Sequence, residues 1–185
     1  MTGAVAWVVG LPSAGKSTFA ENAAEALRRE GLACCVLDGD TVRAALGGVF
    51  GYDEVGRGAF YRALAELAAV LARQGLLVLV AATASRRAFR AHARRIAPAF
   101  LEVFVDVDER ERTRRDTKGL YARAREGTVA DVPGAGSAFE APLHPDVIAH
   151  GGHDMEAIEA FLIAARRIVS TPGERDDPSA GGQPE

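Results

Sequence analysis

The sequence predicts an α/β fold in which helices cover both faces of a mostly or wholly parallel sheet of about five strands. Two observations carry this prediction. Apolar segments suited to buried strands alternate with amphipathic segments suited to helices, an alternation typical of parallel sheets. Residues 10–17 read Gly-Leu-Pro-Ser-Ala-Gly-Lys-Ser, a full match to the phosphate-binding pattern G-x-x-x-x-G-K-[ST]. Together they predict a three-layer α/β/α sandwich of the P-loop NTPase type, with a lid.

The predicted strands are apolar runs, each bounded by turn residues or by a helical segment. They are residues 4–9, 33–37, 76–81, 101–107 and a short edge strand at 147–149. Apolar residues recur at helical spacing in 17–30, 86–96 and 154–169, which predicts helices there. Gly31 and Gly75 directly follow helical segments, where a left-handed end favours glycine.

The composition of the 185-residue chain predicts one domain rather than two. We expect this domain to span residues 1–170, with a lid at about 117–145, where Gly, Pro and Arg are frequent and apolar periodicity is weak. Residues 171–185 lack apolar anchors and are expected to be disordered. Cys34 and Cys35 are adjacent in an apolar run, which predicts small buried residues rather than a disulfide or a metal site.

Charge and hydropathy exclude two classes of partner. The formal net charge of -3 argues against a dedicated nucleic-acid binder, which would present a strongly basic face. No apolar stretch reaches the ~20 residues that span a bilayer, and no charged leader precedes the first predicted strand. We therefore expect a cytoplasmic protein that acts on a small molecule.

The motif at 10–17 has a direct physical reading as a triphosphate cradle. Such a loop turns backbone N–H groups inward, with the positive end of the next helix dipole behind them. Gly10 and Gly15 let the backbone approach phosphate oxygens, Lys16 reaches the β and γ phosphates, and the Ser17 hydroxyl ligates Mg²⁺. Strand, loop and helix follow in the required order. The sequence thus predicts a protein that uses a nucleoside triphosphate.

A second polar segment, Leu-Asp-Gly-Asp-Thr-Val-Arg at 37–43, follows the second predicted strand. In open parallel sheets the ligand crevice lies beyond the carboxyl ends of the strands, so Asp38, Asp40 and Arg43 should lie near the triphosphate. A carboxylate there could help hold Mg²⁺ or accept a proton from an attacking hydroxyl, and Arg43 could bind an anionic acceptor. Alternatively, the two aspartates form a turn and cap the next helix.

Taken in order, the motifs over roughly residues 4–165 resemble those of the adenylylsulfate kinases. These enzymes phosphorylate the ribose 3'-hydroxyl of adenosine 5'-phosphosulfate with ATP and Mg²⁺. The loop at 10–17 and the segment 37–43 look like the family's phosphate loop and its Leu-Asp-Gly-Asp-x-[Val/Ile]-Arg signature. Gly51-Tyr52 with Arg57 resembles its Gly-Phe segment. Arg-Asp-Thr-Lys-Gly-Leu-Tyr at 115–121 is similar to its lid, and residues 139–142 to the lid's closing Tyr-Glu-x-Pro.

The resemblance implies a role for each matching residue. Lys16 and Asp40 would be catalytic, with Asp40 orienting or deprotonating the acceptor hydroxyl, and Ser17 would be the metal ligand. ATP would be held by Gly10, Ser13, Ala14, Gly15, Lys16, Ser17, Thr18 and Arg115. The acceptor would be held by Asp38, Arg43, Tyr52, Arg57, Phe60, Lys118, Gly119 and Leu120. The resemblance also implies a homodimer.

The departures from the family pattern cluster around the acceptor. Phe60 stands where the family has asparagine, and Val132 lies near the position of the lid phenylalanine; Phe139 is another aromatic that could replace it. Residues 81–87 read Ala-Ala-Thr-Ala-Ser-Arg-Arg in place of Ser-Phe-Ile-Ser-Pro-Tyr-Arg. These changes leave open a divergent kinase that phosphorylates a hydroxyl of another small molecule, for example in specialised metabolism. A nucleotide-binding regulatory protein without transfer activity is a further alternative.

Two rows of arginines are predicted to be mostly solvated surface charge. The first, at i, i+4 spacing, comprises Arg86, Arg90 and Arg94, with Arg86 the exception because it directly follows a strand. The second comprises Arg110, Arg112 and Arg114.

Overall fold

The computed structural model of the protein describes residues 3–117, 119–126, 128 and 132–170. A five-stranded sheet lies at its centre, and its neighbouring strands pair in parallel throughout. The strands are β1 (Ala4–Val9), β2 (Cys34–Asp38), β3 (Leu77–Ala81), β4 (Phe100–Val105) and β7 (Val147–Ala149). Their spatial order is β2-β3-β1-β4-β7. The fold class predicted from the sequence is confirmed, including the short edge strand.

Seven helices and two further short strands complete the described part of the chain. They are α1 (Lys16–Arg29), α2 (Gly39–Ala45), α3 (Glu54–Arg73), α4 (Arg87–Ile96), α5 (Glu109–Arg114), α6 (Leu120–Arg125), α7 (Met155–Ser170), β5 (Val132–Pro133) and β6 (Gly136–Ser137). α2 lies outside the predicted helical ranges. It begins directly after β2, where the Asp38 side chain accepts a hydrogen bond from the Thr41 backbone N–H and caps the helix.

Two apolar clusters, one on each face of the sheet, hold the three layers together. On one face Phe19 of α1 packs edge-to-face on Phe161 of α7, with ring centroids 6.1 Å apart. On the other face Trp7 packs among side chains of α3 and α4. Every residue of β1 is buried, since layers cover both faces of this central strand. That burial explains why its sequence is a continuous apolar run rather than an alternating one.

Cys34 and Cys35 begin β2, and their side chains pack toward opposite faces of the sheet. Both are free thiols. They are half-buried rather than buried as predicted, because β2 lies at the edge of the sheet. Burial still raises the pKa of both thiols.

Some sequence-based expectations concern positions outside the described residues. These are the disorder expected of 171–185 and the role of Lys118 in the lid. Within the range predicted as the lid, the described residues form α6, β5 and β6. The extent of the single domain, residues 1–170, stays a prediction. Among the helices described, none combines the length and the apolar character needed to cross a membrane.

Candidate active site

The phosphate loop leaves the carboxyl end of β1 and runs into the first turn of α1. Two of its residues have left-handed backbones, Ser13 with φ 62° and Gly15 with φ 101°. Gly10 approaches β4 so closely that a Cβ there would lie 2.5 Å from the Val105 carbonyl oxygen. Only glycine fits at position 10. Ser13 is strained by its left-handed backbone, and the surrounding contacts must offset that strain. Backbones of this kind form the N–H nests that bind anions.

The connection between β7 and α7 closes against the same loop. A Cβ on Gly15 would lie 2.8 Å from the Gly152 backbone nitrogen, and one on Gly152 would lie 2.5 Å from Thr18 Cβ. Asn22 of α1 donates to the Gly152 carbonyl oxygen at 2.9 Å. Arg115 reaches this connection, because a Cβ built on Gly151 would lie 3.4 Å from Arg115 Nη1. The structure therefore places Arg115 beside the loop that the sequence assigns to the triphosphate.

Lys16 and Ser17 open helix α1 with their side chains in hydrogen bonds. Lys16 Nζ donates to the Leu11 carbonyl oxygen at 2.9 Å, across the loop. Ser17 Oγ donates to Asp38 Oδ2 at 2.5 Å, which links the phosphate loop to the end of β2. The other oxygen of Asp38 accepts from the Thr41 backbone N–H and from Thr41 Oγ1, at 3.0 and 3.1 Å. Asp38 therefore caps α2 and also faces Ser17, so its two predicted roles are compatible.

The hydrogen bonds to Asp38 determine its charge. Burial by itself would raise the pKa of this carboxyl, but the bonds donated by Ser17 and Thr41 outweigh burial and lower the pKa below its usual value. Asp38 is thus ionised at neutral pH. Asp40 lies two residues further on, exposed in the first turn of α2. The two carboxylates leave β2 at the edge of the sheet where the phosphate loop leaves β1.

Arg43 occupies the last turn of α2 and is buried between two aromatic rings. Its guanidinium carbon lies 3.9 Å from the ring centroid of Phe60 and 4.7 Å from that of Tyr52. Nη1 donates to the carbonyl oxygens of Phe50 and Gly51 at 3.0 and 3.2 Å. Arg43 therefore fixes the segment that carries Tyr52, in addition to placing a cation at the predicted acceptor site.

Tyr52 is 69% exposed although arginines hold it from two sides. Arg57 Nε donates to the Tyr52 carbonyl oxygen at 2.5 Å, and Arg43 lies over the ring. Phe60, by contrast, is only 2% exposed and packs edge-to-face against Phe50 at 5.7 Å. The buried ring of Phe60 supports the Arg43 guanidinium. Its predicted contact with the acceptor stays a prediction.

Arg90 joins three segments around the end of β3, and the prediction that it is a solvated side chain is wrong. It is 3% exposed, and its Nε donates to Glu102 Oε1 of β4 at 2.7 Å. Nη1 donates to the Ala84 carbonyl oxygen at 2.6 Å, and Nη2 to that of Glu140 at 2.7 Å. Ala84 has φ 36°, unusual for a residue with a side chain. Arg94 is partly exposed and reaches Glu102 at 3.4 Å.

The end of the lid is tied to the same region through Glu140. The Glu140 backbone N–H donates to the Ser85 carbonyl oxygen at 2.8 Å. Its carboxylate accepts from the Arg87 backbone N–H at 2.7 Å, at the start of α4. Phe139 stacks on Phe104 of β4, with centroids 6.1 Å apart. Phe139 is thus packed on the sheet, and Tyr52 is the exposed aromatic among the predicted acceptor residues.

Arg112 is the second arginine that the sequence places wrongly on the surface. It is 7% exposed, whereas Arg110 and Arg114 are exposed as predicted. Its Nε donates to the Val107 carbonyl oxygen at 2.9 Å, and its Nη1 to Tyr121 Oη at 2.6 Å. Tyr121 Oη in turn donates to the Pro12 carbonyl oxygen at 2.8 Å. Arg112, Tyr121 and Pro12 are not related by any regular spacing in the sequence. The sequence therefore could not predict this network of hydrogen bonds.

Of the other predicted lid residues, Gly119 and Leu120 start α6. Gly119 has φ 61° and precedes the helix as its N-terminal cap residue, and Leu120 is half-buried. Near the base of the lid, Arg114 and Arg115 both donate to Glu111. The hydrogen bonds from these two arginines lower the pKa of Glu111 to about 2. Arg115 is thus held by a carboxylate on one side and lies against Gly151 on the other.

Comparison with known proteins shows what the chain as a whole is similar to. A family model described as adenylylsulphate kinase matches residues 2–150. The adenylyl-sulfate kinase of Chloroflexus aurantiacus (strain ATCC 29364 / DSM 637 / Y-400-fl) is 40% identical over 171 residues, 90% of this chain and 91% of that protein. That of Synechococcus sp. (strain JA-2-3B'a(2-13)) is 40% identical over 146 residues, 79% and 83%. The structure of the Mycobacterium tuberculosis APS kinase CysC in complex with AMPPNP and APS matches with a TM-score of 0.81 and 34% identity, over 88% of this chain and 98% of that one.

Proposed function

The chain belongs to the adenylylsulphate kinase family, and we propose that it transfers the γ-phosphoryl group of ATP to the 3'-hydroxyl of adenosine 5'-phosphosulfate. The products are ADP and 3'-phosphoadenosine 5'-phosphosulfate. The observation that carries the proposal is the hydrogen bond of 2.5 Å between Ser17 Oγ and Asp38 Oδ2. It joins the phosphate loop to the Asp-Gly-Asp segment, so donor and acceptor groups meet at one edge of the sheet.

The donor half of the site fits a triphosphate. The left-handed residues Ser13 and Gly15 shape a backbone nest at the N-terminus of α1, which favours negative charge. In the proposed complex Lys16 exchanges its bond with the Leu11 carbonyl for the β and γ phosphates, and Arg115 adds a second cation. Phosphoryl transfer depends mainly on positioning and charge neutralisation, and this half of the site supplies both.

Ser17 and Asp38 are the residues that would hold Mg²⁺. They present a hydroxyl and an ionised carboxylate at the mouth of the phosphate loop, and hard oxygen donors of this kind suit Mg²⁺, which completes its shell with phosphate oxygens and water. When bound, the ion supplies neutralisation of the phosphate charge.

Asp40 is the proposed proton acceptor. The 3'-oxygen of the acceptor forms a bond to the γ-phosphorus, while the bond between that phosphorus and the oxygen bridging to the β-phosphate breaks. The hydroxyl proton passes to the Asp40 carboxylate, which is exposed beside Asp38 at the start of α2. We thus assign the proton to one carboxylate and the metal to its neighbour.

The acceptor half offers groups that match the chemistry of a nucleoside phosphosulfate. The guanidinium groups of Arg43 and Arg57 suit phosphate and sulfate oxygens. The exposed ring of Tyr52 suits the face of an adenine. We extend the proposal to Lys118, Gly119 and Leu120 as lid contacts to the acceptor. A homodimer and a cytoplasmic location stay predictions, the first of which light scattering on the purified chain tests.

The decisive experiment follows the products of the full chain incubated with ATP, Mg²⁺ and adenosine 5'-phosphosulfate. Mass spectrometry should show ADP and an acceptor product heavier by one phosphoryl group. The matched control substrate is the 3'-deoxy analogue, which lacks only the attacking hydroxyl and should give no product. Transfer to the 3'-deoxy analogue would contradict the assigned position.

A panel of other small-molecule alcohols tests the identity of the acceptor. Turnover of one of these, with none of adenosine 5'-phosphosulfate, would overturn the proposed substrate and leave a kinase of different specificity. Nucleotide binding without turnover of any acceptor would overturn the proposed activity and favour a regulatory role.

A further inference from the structure

We propose that Tyr121 and Arg112 are positioning residues for phosphoryl transfer, which set the orientation of the Pro12–Ser13 peptide in the phosphate loop and join that loop to the lid. The inference rests on the proposed function only in assigning ATP to the loop. From the sequence, Tyr121 is only the last residue of the lid motif at 115–121, with no role of its own, and Arg112 is predicted to be surface charge. Both are buried and form one chain of hydrogen bonds that ends on the loop backbone.

The chain of bonds is short and directional. Arg112 Nη1 donates to Tyr121 Oη at 2.6 Å, and Tyr121 Oη donates to the Pro12 carbonyl oxygen at 2.8 Å. Arg112 is itself fixed by its bond from Nε to the Val107 carbonyl oxygen at 2.9 Å, just beyond β4. The guanidinium polarises the hydroxyl and strengthens its donation to Pro12.

The peptide group that these bonds hold is the one that enters the left-handed part of the loop. In a planar trans peptide the C=O and N–H groups point in opposite directions. Fixing the Pro12 carbonyl toward Tyr121 therefore turns the Ser13 N–H to the opposite side. Ser13 has φ 62°, a conformation that non-glycine residues rarely adopt without support. The bond from Tyr121 is thus placed to hold a strained nest residue in register for an anion.

Because Tyr121 is buried, its hydroxyl is needed to satisfy the groups around it, and the ring by itself cannot do so. Tyr121 is 2% exposed, so water cannot replace its hydroxyl readily. Burial raises the pKa of the phenol above its usual value despite the nearby guanidinium, so the group remains a donor throughout the working range of pH. Removing the hydroxyl would leave both the Arg112 donor and the Pro12 acceptor without this partner.

The same residues connect the loop to the lid. Tyr121 is the second residue of α6, and its backbone N–H donates to Asp116 Oδ2 at 2.8 Å. Arg112 lies on α5, directly before the lid begins. A movement of α6 relative to α5 would therefore pull on or release the Pro12 carbonyl. Through these hydrogen bonds, a movement of the lid would change the position of the phosphate-loop backbone.

The test is the substitution Tyr121→Phe in the full chain, which keeps the ring and removes only the hydroxyl. Binding of a non-hydrolysable ATP analogue with Mg²⁺, measured by calorimetry, should weaken by about 5- to 10-fold, the effect of one lost hydrogen bond. The KM for the acceptor should stay within about twofold of wild type. A merely structural role would lower both affinities together with the melting temperature.

Arg112→Met provides the second variant and Arg110→Met its matched control, the same change at an exposed position of the same helix. Only Arg112→Met should weaken nucleotide binding. The double variant Tyr121→Phe/Arg112→Met should bind the analogue no more weakly than the poorer single variant, because both changes break one chain of bonds.

Three results would overturn the proposal: nucleotide affinity of Tyr121→Phe within about twofold of wild type, loss of both affinities together with the melting temperature, or fully additive losses in the double variant. Nucleotide binding is measured without any acceptor, so failure of the enzyme to phosphorylate adenosine 5'-phosphosulfate would refute the proposed substrate without refuting this inference.

Discussion

The donor and acceptor sides of the site are built in different ways. On the donor side, backbone packs on backbone: Gly10 lies against β4, and Gly15 and Gly152 lie against each other, at distances that leave no space for a Cβ. On the acceptor side, residues 46–55 carry a row of exposed apolar side chains, Leu46, Val49, Tyr52 and Val55. The backbone of the phosphate loop is thus fixed by close packing, whereas the proposed acceptor surface is built from exposed side chains, of which Tyr52 is held by Arg43 and Arg57.

The departures from the family pattern that the resemblance implies cluster around the acceptor, and this difference gives a physical reason for that clustering. A cradle made of backbone contacts tolerates few residue types, because each added carbon would displace a neighbouring segment. A surface made of side chains can change residue by residue while its supports persist. Phe60 illustrates the point, since it lies beneath Arg43 and leaves Tyr52 exposed above. We expect substitutions on one side to leave the properties of the other side unchanged.

The largest expected effect is on the donor side, with Lys16→Ala. Removing the charge that faces the β and γ phosphates should lower kcat by at least about 10²- to 10³-fold, as for loss of one transition-state donor in other enzymes. The change in kcat is measured from the product formed at fixed times with saturating ATP. The control is Arg29→Ala, an exposed cation at the far end of the same helix, which should stay within about twofold of wild type.

Asp40→Asn is the acceptor-side counterpart of Lys16→Ala. It should lower kcat while leaving affinity for the ATP analogue unchanged, because Asp40 is assigned to the hydroxyl proton alone. An equal loss of turnover and nucleotide affinity in Asp40→Asn would show that the two sides are not separable at this residue.

The next largest effect is on stability, with Arg90→Met. Glu102 would then be left buried with only the partly exposed Arg94 nearby, and breaking a buried ion pair costs about 3–5 kcal/mol in the free energy of unfolding. Denaturant titration measures the change. Arg95→Met, on the exposed face of the same helix, is the control and should be close to neutral. Equal stability of the two variants would contradict the role given to Arg90.

Arg90 also marks what the sequence alone could and could not predict. The parallel sheet, the phosphate loop and the segment 37–43 were predictable because continuous apolar runs and a fixed glycine pattern are local signals. Arg90 lies in a row of arginines at helical spacing, and nothing local distinguishes it. Its burial depends on the carbonyl oxygens of Ala84 and Glu140, the latter 50 residues away. Partners brought together by tertiary packing leave no periodic trace in the sequence.

Alanine substitutions at Gly152 and Gly58 compare how tightly the backbone is packed on the two sides of the site. Gly152→Ala would place a Cβ 2.5 Å from Thr18 Cβ and 2.8 Å from the Gly15 carbonyl oxygen, so overpacking should lower the free energy of unfolding by about 1–3 kcal/mol. At Gly58, in α3 of the acceptor side, the nearest atom to an added Cβ is Phe89 Cε1 at 3.7 Å, an ordinary contact. Gly58→Ala should therefore raise stability by about 0.5–1 kcal/mol through reduced backbone freedom. Thermal unfolding of both variants would contradict the comparison if their shifts had the same sign.

The last expected effect is at Tyr52, and it is confined to the acceptor. Stacking of a base on an aromatic ring is worth about 1–3 kcal/mol, so Tyr52→Ala should raise the KM for adenosine 5'-phosphosulfate by about 10-fold. Tyr52→Phe keeps the ring, including its contact with Arg43, and should stay within about twofold of wild type. Affinity for the ATP analogue should be unchanged in both variants. If Tyr52→Ala weakened nucleotide binding as much as acceptor binding, residues 46–55 would support the donor cradle as well. The site could then not be divided into one half built of backbone contacts and another built of side chains.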